Sequence, residues 1–139
     1  MRAVVIDSTV WKDYFGGRTT PYTLVLDRLL LDDEAVVGDF IVTEVLRGFR
    51  SDKEYAQARA AFAVIANVEL LGNGRSVRVA DRYRHLRKRG VTIRKAVDCV
   101  IASYCLDEDR ELLSADRDFR PYVKHFGLKL IQPPLSSAR

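Results

Sequence analysis

Four acidic residues of this chain lie in segments that are otherwise apolar. Asp7 ends an apolar run near the start of the chain, and Asp98 lies inside the apolar stretch of residues 96–106. Glu44 lies inside a largely apolar segment, residues 40–46, and Asp116 follows a short, largely apolar run at residues 112–115. A charge in such a segment is costly unless a partner compensates it. The chemistry of these acids therefore needs an explanation.

Each acid has an ordinary structural role open to it. An acid after a strand often caps the next helix or lies in a turn. An acid within a helix often pairs with a cation one turn away. Asp7 could be an N-cap, and Asp116 could lie in a turn. Glu44 could pair with Arg47, and Asp98 could pair with Arg94.

The four acids together are harder to explain by separate roles, because they would converge at one edge of a parallel sheet. Two carboxylates about 4 Å apart repel each other by roughly 4 kcal/mol at an effective dielectric constant of about 20. A hard divalent cation with oxygen ligands, Mg²⁺ or Mn²⁺, would offset that repulsion. Such an ion activates water and neutralises the charge that develops on a phosphate. The acids therefore predict phosphodiester hydrolysis.

The elements that position these acids alternate along the chain. Short apolar runs predict strands at residues 3–6, 34–38, 68–71, 111–114 and 128–131. Capping residues and helical periodicity predict helices at residues 10–15, 21–31, 40–47, 52–66, 76–89, 94–106 and 119–126. The predicted N-caps of the first four helices are Ser8, Thr20, Asp39 and Ser51.

This alternation predicts an α/β fold with a central parallel sheet of four to five strands and helices on both faces. The site of an open α/β sheet lies beyond the carboxyl ends of its strands, which is where Asp7 and Asp116 fall. We expect residues 1–132 to form one domain and residues 133–139, which begin with two prolines, to form a short C-terminal tail.

The composition is that of a soluble globular protein, with 47% hydrophobic and 30% charged residues. No apolar run approaches the roughly 18 residues of a membrane span. We expect a cytoplasmic protein with no membrane partner. Cys99 and Cys105 lie on different sides of one predicted helix and cannot pair, and His85 and His125 complete no zinc pattern.

Basic residues are concentrated in one segment of the chain. Residues 75–95 contain nine lysines and arginines and one acid, Asp81, although the net charge of the whole chain is only +4. Such a segment favours a polyanionic partner, most often nucleic acid, or else forms a solvated helix face that binds nothing. The candidate nucleic-acid-binding residues are Arg82, Arg84, Arg87, Lys88 and Arg89.

Four segments, in this order and spacing, resemble the PIN-domain ribonucleases, specifically the VapC-type toxins of type II toxin–antitoxin modules. They are residues 5–11 (VIDSTVW), 43–48 (TEVLRG), 98–102 (DCVIA) and 112–119 (LLSADRDF). Each motif alone is weakly diagnostic, whereas the ordered set is specific and covers essentially the whole chain.

The resemblance implies a PIN-like fold and a Mg²⁺-dependent endoribonuclease, with Mn²⁺ as a possible alternative ion. It also implies an RNA substrate, a homodimer and a cognate VapB-like antitoxin. The implied catalytic and metal-binding acids are Asp7, Glu44, Asp98 and Asp116, supported by Ser8, Ser114 and the auxiliary acid Asp118.

The antitoxin would cover apolar surface on the helical segments 22–31 and 55–65, which are richer in apolar residues than one buried face requires. Two alternatives are a PIN-domain nuclease of RNA processing that is not a toxin and a non-catalytic RNA-binding module. A phosphotransfer enzyme with Asp7 as nucleophile is disfavoured, because Thr9 stands where such an enzyme needs a second acid.

Overall fold

A parallel sheet lies at the centre of the molecule. A computed structural model describes residues 2–134 of the chain. Within them, five parallel strands lie in the order β3-β2-β1-β4-β5. The strands are β1 (Val4–Ile6), β2 (Ala35–Gly38), β3 (Ala66–Val68), β4 (Glu111–Leu113) and β5 (Lys129–Leu130). The prediction of a parallel α/β sheet is confirmed.

Helices connect these strands. They are α1 (Ser8–Phe15), α2 (Pro21–Leu31), α3 (Asp39–Leu46), α4 (Asp52–Ala63), α5 (Asn73–Lys88), α6 (Ala96–Asp107) and α7 (Arg120–Phe126), with a 3-10 turn (Arg117–Phe119) before α7. The chain steps outward from β1 to β3 and returns through β4 to β5. The rule that parallel crossovers are right-handed assigns α1–α4 to one face of the sheet and α5–α7 to the other. Within residues 2–134, no helix is long and apolar enough to cross a membrane.

The core is built around β1 and helix α6. All three residues of β1 are fully buried between β2 and β4. The segment from Asp98 to Cys105 is buried on every side of α6, as its almost continuous apolar sequence indicates. Cys99 and Cys105 are free thiols, unpaired as predicted, and both are buried in this core. The strand order reverses between β1 and β4, and this switch point is the expected position of a site.

The third strand lies earlier than the sequence predicted. Residues 68–71 were expected to form it, but β3 is Ala66–Val68 and α4 ends at Ala63 instead of continuing to residue 66. Leu70 lies after the strand, but its side chain is fully buried against β2, which explains why this position is apolar. Side chains rather than a neighbouring strand satisfy its backbone: Leu70 N–H donates to Asp39 (3.2 Å), and Arg75 donates to the Leu70 carbonyl (2.9 Å).

Two of the four predicted N-caps are wrong by one residue. Asp7 and Gly38 occupy the cap positions, so Ser8 and Asp39 are the first residues of their helices. The caps at Thr20 and Ser51 are confirmed, since each side chain accepts a hydrogen bond from a backbone N–H of the first turn. The helices expected to begin at residues 76 and 94 begin at Asn73 and Ala96. Of the predicted tail 133–139, residues 135–139 lie outside the described residues.

Gly38 permits the close packing between β2 and Leu70. A Cβ at Gly38 would overlap the Leu70 side chain, which is fully buried. We therefore expect Gly38→Ala to lower the free energy of unfolding in urea by about 1–3 kcal/mol, the usual cost of overpacking. Gly48→Ala is the matched control, because its nearest atom outside its chain neighbours would be the Val45 carbonyl oxygen at 3.5 Å. Equal effects of the two substitutions would contradict this account.

Candidate functional site

Asp7 and Ser114 lie side by side at the carboxyl ends of the two central strands. Asp7 follows β1 and Ser114 follows β4, and the Asp7 N–H donates to the Leu113 carbonyl (3.0 Å) across the strand pair. Asp7 and Ser114 are each only 3% exposed. The register of the parallel sheet thus fixes both residues at the point where the strand order reverses.

A chain of hydrogen bonds links Asp7 to the acids that follow β4. The Asp7 carboxylate accepts from the hydroxyls of Ser114 (2.9 Å) and Thr9 (2.9 Å). The Ser114 hydroxyl oxygen accepts from the Asp116 N–H (3.0 Å), and the Asp116 carboxylate accepts from the Asp118 N–H (2.9 Å). These donors fix the directions of the carboxylates without neutralising their charge.

The residue of α1 whose hydroxyl supports the Asp7 carboxylate is Thr9, which was not among the predicted site residues. Ser8 was expected to support the site through its hydroxyl, but its backbone N–H is the group that contributes to Asp7. The hydroxyl bonded to Asp7 comes from the next residue. The sequence does indicate this contact, because a threonine two positions after an N-cap aspartate can donate its hydroxyl hydrogen to that aspartate's carboxylate.

Three carboxylates form the tightest acidic group among the described residues. One carboxylate oxygen from each of Asp98, Asp116 and Asp118 lies within 4.8 Å of the others. Oδ2 of Asp98 is buried and has no hydrogen-bond partner within residues 2–134. Arg94, the structural partner considered for Asp98, instead pairs with Asp118 at 3.3 Å.

Glu44 lies at the edge of this group. Its carboxylate is 4.0 Å from Lys12 Nζ on α1, whereas the alternative considered from the sequence was an ion pair with Arg47. Glu44, Arg47 and Lys95 line a cleft of about 400 Å³ between α3 and α6. The charge of Glu44 acts on Asp7, where it raises the pKa. Glu44 thus contributes to the negative field without belonging to the closest cluster.

Two acids at this site, Asp7 and Asp98, have a pKa above that of a free aspartate. Burial, followed by the charges of Asp7 and Asp116, raises the pKa of Asp98 from 3.8 to about 7. Burial also raises the pKa of Asp7, although the hydrogen bonds from Ser114 and Thr9 oppose that shift. Three clustered carboxylates, one of which has a buried oxygen without a hydrogen-bond partner among the described residues, form a donor set that fits a hard divalent cation.

The basic residues selected from the sequence fall into two groups. Arg82 is half-buried and donates to Asp107 (2.6 Å), a carboxylate that also accepts from Arg75 and Arg78. The other four, which extend from α5 into the residue that follows it, are solvent-exposed: Arg84, Arg87, Lys88 and Arg89.

The fold and the acidic site define a parallel α/β protein with a carboxylate centre suited to a cation. The PIN domain family model matches residues 4–124, and the chain belongs to this family.

Sequence relatives and solved structures agree with this assignment. Ribonuclease VapC11 of Mycobacterium tuberculosis is 24% identical over 84% of this chain and 88% of that protein. RNA-free ribonuclease P of Halorhodospira halophila is 33% identical over 66% of this chain, but the matched region spans only 41% of that protein. The crystal structure of VapBC2 from Rickettsia felis bound to a promoter DNA fragment has a TM-score of 0.74 at 14% identity, covering 95% of this chain and 99% of that chain.

The raised pKa of Asp98 predicts how stability depends on pH in the presence of a chelator. Between pH 3.8 and about 7 the folded state binds a proton at Asp98 that the unfolded state releases, so this residue's contribution to stability falls as pH rises. Asp98→Asn removes the titration. We expect the variant to gain stability over the wild type as pH rises through this range, by at least about 1.4 kcal/mol, the equivalent of one pKa unit. Urea unfolding at several pH values measures this difference, with the exposed Asp27→Asn as control. A difference that does not change with pH would contradict the assignment.

Proposed function

We propose that this protein is a metal-dependent endoribonuclease that acts as the toxin of a toxin–antitoxin pair. The observation that carries the proposal is the buried, unpartnered oxygen of Asp98 beside Asp116 and Asp118. When Asp98 is ionised, its buried carboxylate has no cationic partner among the described residues and needs a ligand to offset its charge. Membership of the PIN domain family and the similarity to a protein named ribonuclease VapC11 support the same function.

Asp98, Asp116 and Asp118 are the residues that would hold Mg²⁺ or Mn²⁺ most directly, with Asp7 and Glu44 beside them. When bound, such an ion supplies an activated water and neutralises charge on the phosphate under attack. The remaining residues orient these acids. Ser114 and Thr9 hold the Asp7 carboxylate in place, and the N–H of Asp118 fixes Asp116.

The exposed cations of the α5 segment would hold the RNA backbone. Arg84, Arg87, Lys88 and Arg89 are free to face a polyanion, and Arg84, Lys88 and Arg89 line one shallow cavity. Contacts of this type neutralise phosphates and give affinity without sequence specificity. Arg82 was also selected for this role, but its bond to Asp107 makes it a weaker candidate than the other four.

An antitoxin would bind the apolar surface carried by α2 and α4. Leu24 and Leu31 on α2 are 55% and 81% exposed. Tyr55 near the start of α4 is 38% exposed, and Val64, directly after α4, is 84% exposed. Such side chains suit an amphipathic helix of a VapB-like partner. Arg94 demonstrates that a guanidinium can reach Asp118, so an arginine of the partner could occupy the acidic centre. A homodimer and a cytoplasmic location belong to the same proposal.

A nuclease of RNA processing that is not a toxin is the second candidate. It is favoured by the similarity to RNA-free ribonuclease P, which is 33% identical over its matched region. The site chemistry would be the same in both cases, so only the substrate and the effect on a cell separate them. A non-catalytic RNA-binding module is disfavoured, because every acid of the site is retained.

The first functional prediction concerns the metal. We expect EDTA to abolish cleavage of total RNA by the purified protein and excess Mg²⁺ or Mn²⁺ to restore it. Asp98→Asn should lower the rate by more than about 100-fold, since even residues outside the ligand set cost about 10–100-fold. The same substitution should weaken Mn²⁺ binding measured by calorimetry or electron paramagnetic resonance, whereas Asp27→Asn should change neither property. Full activity in excess chelator would refute the metal-dependent mechanism.

The second functional prediction separates a toxin from a housekeeping nuclease. We expect expression of the wild-type protein alone to arrest bacterial growth and co-expression of the small protein encoded beside its gene to relieve the arrest. Asp98→Asn should be harmless in both settings, because it retains the fold but not the metal. If the purified protein cuts RNA but its expression leaves growth unchanged in a host that contains the target, the toxin assignment is wrong and the processing nuclease is favoured.

A further inference from the structure

An apolar cavity of about 530 Å³ lies between α5 and α6, apart from the cleft that contains Glu44. Ile93, Cys99 and Val100, each less than 10% exposed, line it, together with the half-buried Val79. Its volume is within the range of pockets that hold small organic ligands, roughly 300–1,000 Å³. The aliphatic side chains make it favourable for a flat apolar group to enter.

Polar and aromatic residues complete the cavity. The Tyr83 ring lines it, and the guanidinium of Arg87 lies 5.7 Å from the centroid of that ring. Arg84 and Arg94 also line the cavity and are solvent-exposed, so their charges lie at its opening. An aromatic ring beside an apolar floor with two guanidinium groups at the opening is suited to a ligand that has a π face and a negative charge.

The cavity adjoins the acidic cluster. Arg94 lines the cavity and pairs with Asp118, one of the clustered acids, at 3.3 Å. Cys99 lines the cavity and directly follows Asp98 on α6. Only the side chain of Arg94 therefore separates a group bound at this side of the cavity from Asp118.

We propose that this cavity binds one nucleobase of the RNA substrate, next to the phosphodiester that is cut, with Arg84 and Arg94 on the adjoining phosphate. The identity of this ligand rests on the proposed ribonuclease function. An apolar side chain of a protein partner would also fit the cavity floor, but it would offer no negative charge to Arg84 and Arg94. A base inserted there must be unpaired, so the substrate class is single-stranded RNA or a loop, and the cavity selects the base at one position.

The test measures binding without cleavage. The four ribonucleoside 5′-monophosphates are titrated into isotope-labelled protein in EDTA, and NMR shifts of Val79, Ile93 and Val100 report occupancy. Ribose 5-phosphate is the matched probe without a base. We expect at least one nucleotide to bind roughly ten-fold more tightly than ribose 5-phosphate, consistent with stacking of one base.

Four variants assign that difference to the cavity. Tyr83→Leu removes the ring, and Ala80→Phe fills the cavity from an exposed lining position. Both should abolish the preference for nucleotide over ribose 5-phosphate. Tyr83→Phe keeps the ring and should retain the preference, as should Val77→Phe, which adds the same ring to α5 at a position 63% exposed and outside the cavity. Unfolding in urea checks that each variant is folded.

The outcomes separate this proposal from the ribonuclease proposal. If no nucleotide is preferred, or if both Tyr83→Leu and Ala80→Phe keep the preference, the base site is wrong whether or not the protein cuts RNA. If the cavity signals respond only to the protein encoded beside the gene, the cavity is a protein-docking site and the base site is again wrong. If nucleotides bind as expected but no RNA is cut with Mg²⁺ or Mn²⁺, the base site stands and the ribonuclease proposal fails. In an active enzyme, Tyr83→Leu should reduce the base preference at one position beside the cut, whereas Val77→Phe should leave that preference unchanged.

Discussion

The structure depends on the placement of negative charge in its interior. Asp7 and Asp98 are each 3% exposed, and their charges act on one another across the carboxyl edge of the sheet. The groups that support Asp7 are neutral hydroxyls and a backbone N–H, which direct a carboxylate without cancelling its charge. Arg94 and Lys12 lie outside the buried centre and pair with Asp118 and Glu44 instead. The repulsion among the central carboxylates is therefore left for a proton or a bound cation to offset.

The fold supplies the rigidity that this arrangement needs. Asp7 is fixed because β1 is buried between β2 and β4, and Ser114 is fixed because β4 pairs with β1 in register. Asp98 projects from a helix whose residues up to Cys105 are buried, so the helix cannot rotate to carry the acid into water. Asp7 and Asp98 could move apart or into water only if the core opened. The burial of apolar side chains in the core therefore holds these carboxylates in positions where their charges are unfavourable.

The sequence predicted the elements and the acids better than it predicted their partners. Asp7 and Asp98 could be recognised because each is an acid in an apolar segment, and the alternation of strands and helices predicted the sheet. The pairing of Arg94 with Asp118 joins residues 24 positions apart, and that of Arg75 with Asp107 joins residues 32 apart, beyond any helical spacing rule. Leu70 was assigned to a strand because a buried apolar loop and a short strand have the same composition. Register, ion pairs and loop burial depend on tertiary contacts, which local patterns do not contain.

The distribution of positive charge explains how a polyanion could approach an acidic centre. The Asp107 carboxylate accepts hydrogen bonds from Arg75, Arg78 and Arg82, and these contacts join α5 to α6. The cations that remain exposed lie along α5 and, with Arg94 and Lys95, reach the margin of the acids. Attraction at the flank brings a nucleic-acid backbone to the site, but the carboxylates at the centre repel its phosphates at short range. Close approach of a phosphate to the central acids themselves would therefore need a cation there to offset their charge, whereas phosphates held at the flank by the exposed arginines would not.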